Sequence, residues 1–123
     1  MGRHVVILGV QWGDEGKGKI VDLLAQDADL VVRFSGGDNA GHTVVNDKGS
    51  FSLHNVPAGI FSPRAKCLIG NGVALNPESL LEELNQLHAA NIDTTRISIS
   101  DKAHLVLPYH LMIDGAEESA RGT

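Results

Sequence analysis

The sequence has 123 residues, of which 42% are hydrophobic, and this is enough for one globular domain with a core. Fifteen acidic residues against ten basic residues give a net charge of −5, which disfavours a protein that binds nucleic acid through its phosphates. A single cysteine excludes an intramolecular disulfide framework, and no apolar run reaches the roughly 18 residues of a transmembrane helix. We therefore expect a cytoplasmic protein that binds neither nucleic acid nor membrane.

The first predicted unit is strand, glycine-rich loop, helix and strand. Residues 4–10 form a short apolar run rich in β-branched side chains, which is typical of a parallel strand covered on both faces. A helix is predicted over residues 17–27, because its apolar side chains fall on one stripe, and a second strand is predicted over residues 30–34. This order is that of a P-loop-like βαβ unit.

A β-hairpin is predicted next in the chain. Two short runs of strand-forming residues, 43–45 and 50–56, flank the turn residues 46–49, whose Asn, Asp and Gly tolerate left-handed backbone geometry. The hairpin would be an insertion between the predicted strands of a parallel sheet.

The second half of the chain again alternates strands and helices. A strand is predicted over residues 66–70, and a helix follows to about residue 90, with Asn76 as its cap and Pro77 at its first position. We expect an apolar face on this helix and a polar face in solvent; the apolar face comprises Leu80, Leu81, Leu84 and Leu87, and the polar face Glu82, Glu83 and Gln86.

Short strands are predicted over residues 96–100 and 104–107, and a last helix over residues 108–121. The fold class is therefore α/β, with a P-loop-like βαβ unit, a mainly parallel central sheet and an inserted β-hairpin. Because the sequence ends on a helix followed by a turn pattern, we expect residues 1–123 to be the amino-terminal, nucleotide-binding part of a larger domain.

The glycine-rich loop is the first candidate site. Gly13, Gly18 and Lys19 have the spacing of a phosphate-binding P-loop, in which backbone N–H groups and the start of a helix hold an anion. Ile20 stands where a P-loop has the Ser or Thr that binds magnesium, so Asp14 is the candidate metal ligand within the same loop.

A second loop, residues 36–43, follows the strand predicted over residues 30–34. It contains three glycines together with Asn39, His42 and Thr43, which provide close backbone approach, an amide, an imidazole and a hydroxyl. Ligands of open α/β sheets bind at the carboxyl ends of the strands, so we expect the two loops to converge there. Beside a phosphate loop, His42 is a candidate catalytic residue.

The sequence Gln11-Trp12-Gly13-Asp14-Glu15-Gly16-Lys17-Gly18-Lys19, taken with Asn39-Ala40-Gly41-His42-Thr43, closely resembles the adenylosuccinate synthetase family. The resemblance continues through Gly70-Asn71-Gly72-Val73 to about residue 121, and it covers about the first third of a synthetase. It implies a GTP-dependent enzyme, with Mg²⁺ as cofactor, that joins IMP to L-aspartate, and a homodimer for the complete protein.

The resemblance also implies roles for individual residues. Asp14 would be the base that removes the N1 proton of IMP and would also bind Mg²⁺, with Gly41 adding its backbone carbonyl. His42 would be the acid that supports phosphoryl transfer. The implied GTP and phosphate contacts are Gly13, Asp14, Glu15, Gly16, Lys17, Gly18, Lys19, Gly41, His42 and Thr43. The implied IMP contacts are Asp14, Glu15, Gly16, Lys17, Asn39, Ala40, Gly41 and His42.

Two other functions remain open from the sequence. A P-loop kinase or GTPase would share the glycine loop, although Ile20 argues against it. A nucleotide-binding domain without catalysis would contain the same loop, with Asp14 and His42 having no catalytic role.

Overall fold

The computed structural model describes residues 2–9, 16–39 and 41–122. Within them the helices and strands follow one another along the chain as α1 (Lys17–Ala25), β1 (Leu30–Gly36), β2 (His42–Asn46), β3 (Gly49–Leu53), a short 3-10 helix (Ala58–Phe61), β4 (Lys66–Leu75), α2 (Pro77–Ala89), β5 (Ile97–Ile99), β6 (His104–Leu105) and α3 (Pro108–Arg121).

A parallel sheet is organised around β4. Its amino-terminal half lies between β1 and β5, with Cys67 opposite both Val31 and Ile97, and its last two residues pair with β6. The strands β2 and β3 form a separate antiparallel hairpin with Asn46 opposite Gly49. The α/β class, the parallel sheet and the inserted hairpin are therefore confirmed.

The core lies between the hairpin, the central strand and α2. Buried side chains come from all three parts: Val44, Phe51 and Leu53 from the hairpin, Cys67, Ile69, Val73 and Leu75 from β4, and Leu80 and Leu87 from α2. The end of the hairpin thus packs on the same helix that supports the sheet, because the inward-facing residues of β3 alternate with exposed ones.

The strand predicted over residues 4–10 is not formed at residues 4–9, which have neither helix nor strand structure; position 10 lies outside the described residues. Val5, Val6 and Leu8 are 55%, 72% and 67% exposed. An apolar run can form a buried strand only where a neighbouring strand accepts its hydrogen bonds, and the described residues provide none here.

The prediction for α2 is correct in extent and cap but partly wrong in its faces. Glu83 was expected in solvent, yet it is only 3% exposed, whereas Leu81 was expected in the core and is 59% exposed. Glu83 lies three residues after Leu80 and four before Leu87, so helical geometry places it on the same face as these two buried leucines.

Candidate nucleotide site

Two parallel strands bring the loop after β1 and the cap residue of α2 to one edge of the sheet. β1 ends at Gly36 and leads into residues 37–41, here called the Asp38 loop, of which position 40 lies outside the described residues. β4 ends at Leu75 and is followed by Asn76, whose Nδ2 donates to Asp38 Oδ2 over 2.8 Å. Both carboxyl ends therefore meet, as expected for a ligand site of an α/β sheet.

The first turn of α1 touches the second loop. A Cβ atom placed on Gly18 would lie 3.1 Å from Cδ2 and 3.3 Å from Cγ of His42. Both distances are shorter than ordinary van der Waals contact, so a side chain at position 18 would require the imidazole to shift by a few tenths of an ångström. The glycine spacing in the phosphate loop thus allows the helix to approach His42 closely.

The start of α1 has the features of an anion site. Gly16 precedes the helix with a left-handed φ of 72°, and the first turn carries Lys17 and Lys19 with no acidic residue. Backbone N–H groups at a helix start attract anions, and the two lysines add positive charge. Gly13, Asp14 and Glu15, the remaining candidate residues of this loop, lie outside the described residues.

His42 begins β2 and is half-buried. Among the described residues its Nε2 atom has no hydrogen-bond partner, and the same is true of Asp22 Oδ1 on α1. Burial lowers the pKa of His42 below 6.5, while the nearby Asp22 carboxylate raises it in part. Burial raises the pKa of Asp22, and His42 opposes that shift. The two groups therefore form an electrostatically coupled pair beside the start of α1.

The Asp38 loop is attached to the protein by contacts from three directions. Arg33 Nη2 donates to the carbonyl of Gly37 over 2.5 Å, and the Nδ1–H group of His54 donates to the carbonyl of Asp38 over 2.8 Å. The imidazole of His54 also packs against Gly41, where a Cβ atom would lie 2.6 Å from its Cε1. Together with the hydrogen bond from Asn76 to the Asp38 side chain, these contacts hold the described part of the loop in place.

Asn39, Gly41 and Thr43 are exposed, whereas Ala40 lies outside the described residues. The exposed positions leave an amide, a backbone carbonyl and a hydroxyl accessible to a ligand. The structure thus brings Gly18 and His42 close together, and Gly41 and Thr43 adjoin His42 in the chain.

Four residues near the site escaped the sequence analysis: Asp22, Arg33, His54 and Glu83. The position of Glu83 on the Leu80–Leu87 stripe was the one usable signal, because a charge within an apolar stripe requires internal hydrogen bonds. Asp22, Arg33 and His54 are far apart in the sequence, and none of them lies in a recognisable motif. Only the fold brings Arg33 and His54 to the Asp38 loop and Asp22 to His42.

The donor chemistry suits magnesium. No group of three or more His, Cys, Asp or Glu side chains that could hold a metal is found in the described ranges 2–9, 16–39 and 41–122. Mg²⁺ typically uses only one or two carboxylates together with substrate phosphates and water. The predicted ligands, the Asp14 carboxylate and the Gly41 carbonyl, are hard oxygen donors of this kind, although Asp14 lies outside the described residues.

None of the helices in the described part of the chain combines the length and apolar character needed to cross a lipid bilayer.

Comparison with known families gives a match over almost the whole length of the sequence. The model of the adenylosuccinate synthetase family matches residues 6–123. An adenylosuccinate synthetase from Dehalococcoides mccartyi is 62% identical over 116 residues, which are 94% of this chain and 27% of that protein. The same enzyme from another strain of that species is 61% identical over the same length. The chain thus spans about a quarter of the length of these relatives.

Solved structures resemble the fold as well. Fully ligated adenylosuccinate synthetase from Plasmodium falciparum matches with a TM-score of 0.80 and 38% identity, over 93% of this chain and 26% of that one. A succinoaminodeoxyadenylate synthetase of cyanophage S-2L, bound to dGMP and to dATP as energy donor, matches with a TM-score of 0.70 and 26% identity, over 86% of this chain and 30% of that one.

Proposed function

This chain belongs to the adenylosuccinate synthetase family, and from that premise we propose that the whole protein joins IMP and L-aspartate to form adenylosuccinate at the expense of GTP. Residues 1–123 would be the amino-terminal, nucleotide-binding part of a larger domain. The share of its relatives that the chain spans, about a quarter, supports this division.

The contact between Gly18 and His42 carries the proposal. It joins the glycine-rich phosphate loop to an imidazole whose Nε2 has no partner among the described residues. A phosphate held at the start of α1 would therefore lie close to a group able to donate a proton or a hydrogen bond. This pairing favours phosphoryl transfer over simple nucleotide binding.

We assign the chemistry in two steps. The Asp14 carboxylate accepts the N1 proton of IMP, and O6 then attacks the γ-phosphorus of GTP, with GDP as the leaving group. The amine of L-aspartate next displaces phosphate from C6 and loses a proton. Lys17 and Lys19 stabilise the negative charge that develops on the phosphoryl oxygens. Glu15 contributes backbone contacts, because its carboxylate would repel phosphate.

His42 supports the transfer through its lowered pKa. Burial makes the protonated imidazole a stronger acid than an exposed one, although a smaller fraction of it is protonated at pH 7. A proton or hydrogen bond from this ring would stabilise the departing phosphate oxygens. Mg²⁺, held by Asp14 and the Gly41 carbonyl, would supply positive charge to the phosphates.

The remaining assignments follow the same site. GTP phosphates would contact Gly13, Gly16, Gly18 and Thr43, and IMP would contact Asn39 and Ala40 in addition to the catalytic residues.

For the whole protein we also propose a cytoplasmic homodimer without nucleic-acid or membrane partners. A monomer in analytical ultracentrifugation of the complete protein would contradict the dimer.

The test is substrate-dependent turnover by a complete synthetase that contains this chain. We expect adenylosuccinate and GDP only when GTP, IMP, L-aspartate and Mg²⁺ are all present. Asp14→Asn should lower kcat by about 10² to 10⁴, because an amide cannot act as the base.

His42→Asn should lower kcat while largely sparing GTP affinity, because the imidazole of His42 contributes most in the transition state.

The matched control for the histidine is His88→Asn. His88 is exposed near the end of α2, and its Nε2 forms a hydrogen bond with Thr94 Oγ1. Its replacement should leave kcat unchanged. Phosphoryl transfer to an acceptor other than IMP would instead assign the protein to the kinases, and GTP binding without turnover would leave it a binding domain.

A further inference from the structure

Glu83 is a buried carboxylate that no step of the proposed reaction uses. It is only 3% exposed, in the middle of α2 and between two buried leucines. A charged group is rarely buried so completely unless several donors satisfy it. The donors therefore reveal what the burial of Glu83 achieves.

All of these donors come from one short segment after β3. Glu83 Oε1 accepts hydrogen bonds from the backbone N–H groups of His54 and Asn55 over 3.0 and 2.9 Å, and from Asn55 Nδ2 over 2.9 Å. Glu83 Oε2 accepts from the N–H groups of Asn55 and Val56 over 3.1 and 2.9 Å. Three consecutive peptide N–H groups thus converge on one carboxylate.

This arrangement fixes the backbone from which His54 projects. The imidazole of His54 then reaches the Asp38 loop, where Nδ1 lies 2.8 Å from the carbonyl oxygen of Asp38 and the ring covers Gly41. Gly41 is the residue whose carbonyl is proposed to bind Mg²⁺. A displacement of residues 54–56 would therefore move the ring that supports Gly41.

The helix α2 holds the same loop at a second point. Asn76, which caps α2, donates to the side chain of Asp38 over 2.8 Å. The backbone of Asp38 is thus tied to α2 through His54 and Glu83, and its side chain is tied to α2 through Asn76. Two independent links to one rigid helix are the arrangement expected where a loop must keep a fixed geometry.

We propose that Glu83 is a positioning residue, which holds the Asp38 loop in its binding geometry through the backbone of residues 54–56 and the imidazole of His54. The inference rests on the proposed function for its consequence in catalysis. Groups that orient metal ligands without touching the metal commonly change metal affinity or activity by about 10- to 100-fold when they are replaced.

The test uses a complete synthetase containing this chain, with Glu83→Gln, His54→Ala and the control Glu82→Gln. Gln keeps the size of Glu83 but faces the converging N–H groups with an amide that cannot accept all of them. Glu82 is the exposed neighbour on the same helix, so its variant removes the same charge without touching residues 54–56.

We expect Glu83→Gln and His54→Ala to raise the Mg²⁺ concentration for half-maximal adenylosuccinate formation by about tenfold or more, and Glu82→Gln to leave it unchanged. His54→Asn should recover part of the loss, because its amide can donate to the carbonyl of Asp38. An unchanged Mg²⁺ requirement in Glu83→Gln, with only a lower melting temperature, would reduce Glu83 to a purely structural residue and overturn the proposal.

A second readout needs no turnover and separates this inference from the proposed function. In the ligand-free protein, NMR follows the Cε1–H resonances of His42 and His54. Each resonance is assigned from its loss in a variant in which that one histidine is replaced. Glu83→Gln should shift the resonance of His54, and Glu82→Gln should not. If the unmodified protein makes no adenylosuccinate, the proposed function fails, but a shift of the His54 resonance in Glu83→Gln still supports the positioning role of Glu83. A His54 resonance that does not move in Glu83→Gln would overturn that role.

Discussion

Asp22 and His42 are half-buried groups whose ionisation states depend on each other. Burial is the largest influence on both: it lowers the pKa of His42 and raises that of Asp22. Their mutual attraction opposes both shifts, while Arg33 and His54 lower the pKa of His42 further and Glu83 raises it. A neutral imidazole at pH 7 is therefore the expected resting state, because its burial disfavours the charged form.

Replacement of Asp22 by asparagine should lower the pKa of His42 further, because the variant loses the negative charge that favours imidazolium. The measurement is an NMR pH titration of the His42 Cε1–H resonance. Asp27→Asn, at an exposed site just beyond α1, is the control and should leave that titration unchanged. A pKa of His42 that stays constant or rises in Asp22→Asn would show that the two groups do not interact.

The same shift makes stability depend on pH. Because the folded pKa of His42 lies below about 6.5, the unfolded chain binds more protons between the two values. The contribution of His42 to the free energy of unfolding is therefore fully present above about pH 6.5, and it is lost as the pH falls from that value through the lower pKa of the folded protein. The direction is opposite to that of a histidine stabilised by an ion pair.

At the scale of the secondary-structure elements, α2 connects the fold to the site. Its cap residue Asn76 accepts hydrogen bonds from the N–H groups of Glu78 and Ser79 and donates another to Asp38. One side chain thus begins the helix and holds the site loop, since Asn has both an acceptor and a donor.

Asn76→Ala should lower the free energy of unfolding by about 1 kcal/mol or more, because the helix loses its cap and Asp38 loses its partner. Urea unfolding of the protein, followed by circular dichroism, measures the change. Asn85→Ala on the exposed face of the same helix is the control and should change stability little. Equal effects of the two variants would show that Asn76 has no special part in holding α2.

Glycines allow β4 to pair with β1 across an irregularity. The register shifts between Arg33 and Ser35, and at this point Gly72 packs against the backbone carbonyl of Phe34 so closely that a Cβ atom could not fit. The Gly70-Asn71-Gly72 sequence was recognised as part of the family resemblance. Its physical reason is this close approach of two backbones.

At the scale of the whole molecule, some apolar residues are buried in the core and others are exposed on the surface of α3. The core between the hairpin, β4 and α2 is covered, whereas α3 has no buried residue and exposes Leu111, Met112 and Ile113 by 50%, 75% and 55%. His42, the proposed acid, therefore begins a hairpin whose core includes no residue of α3.

The 123-residue chain, purified alone, should form no adenylosuccinate from GTP, IMP, L-aspartate and Mg²⁺. The chain spans about a quarter of the length of its relatives, and positioning of reactants contributes roughly 7–11 kcal/mol in favourable reactions. Weak phosphate binding without preference for guanine is expected from the start of α1. Product formation measured by chromatography, or a clear preference for GTP over ATP in calorimetry, would contradict this expectation.

The sequence by itself determined most elements and the position of the loop after β1. The helix starting at Lys17, the hairpin around Asp47 and Lys48, and the cap at Asn76 were all predicted correctly, because each depends on neighbouring residues. The structure places Gly18, the last glycine of the phosphate-loop pattern, against His42, but the strand predicted to lead into that pattern is not formed at residues 4–9. The rule that ligands bind at the carboxyl ends of parallel strands therefore applies only to the loop that follows β1.

Only the tertiary structure decided which polar residues support the site. The sequence predicts a solvated Glu83, whereas in the fold three backbone N–H groups that follow the hairpin donate to its carboxylate. His54 lies in no motif that would mark it as a site residue. The strand predicted over residues 4–10 was wrong at residues 4–9 for the same reason, because an apolar run becomes a strand only beside a partner. Hydrogen bonds between residues about 30 positions apart depend on how the chain folds back on itself, and local periodicity does not encode that path.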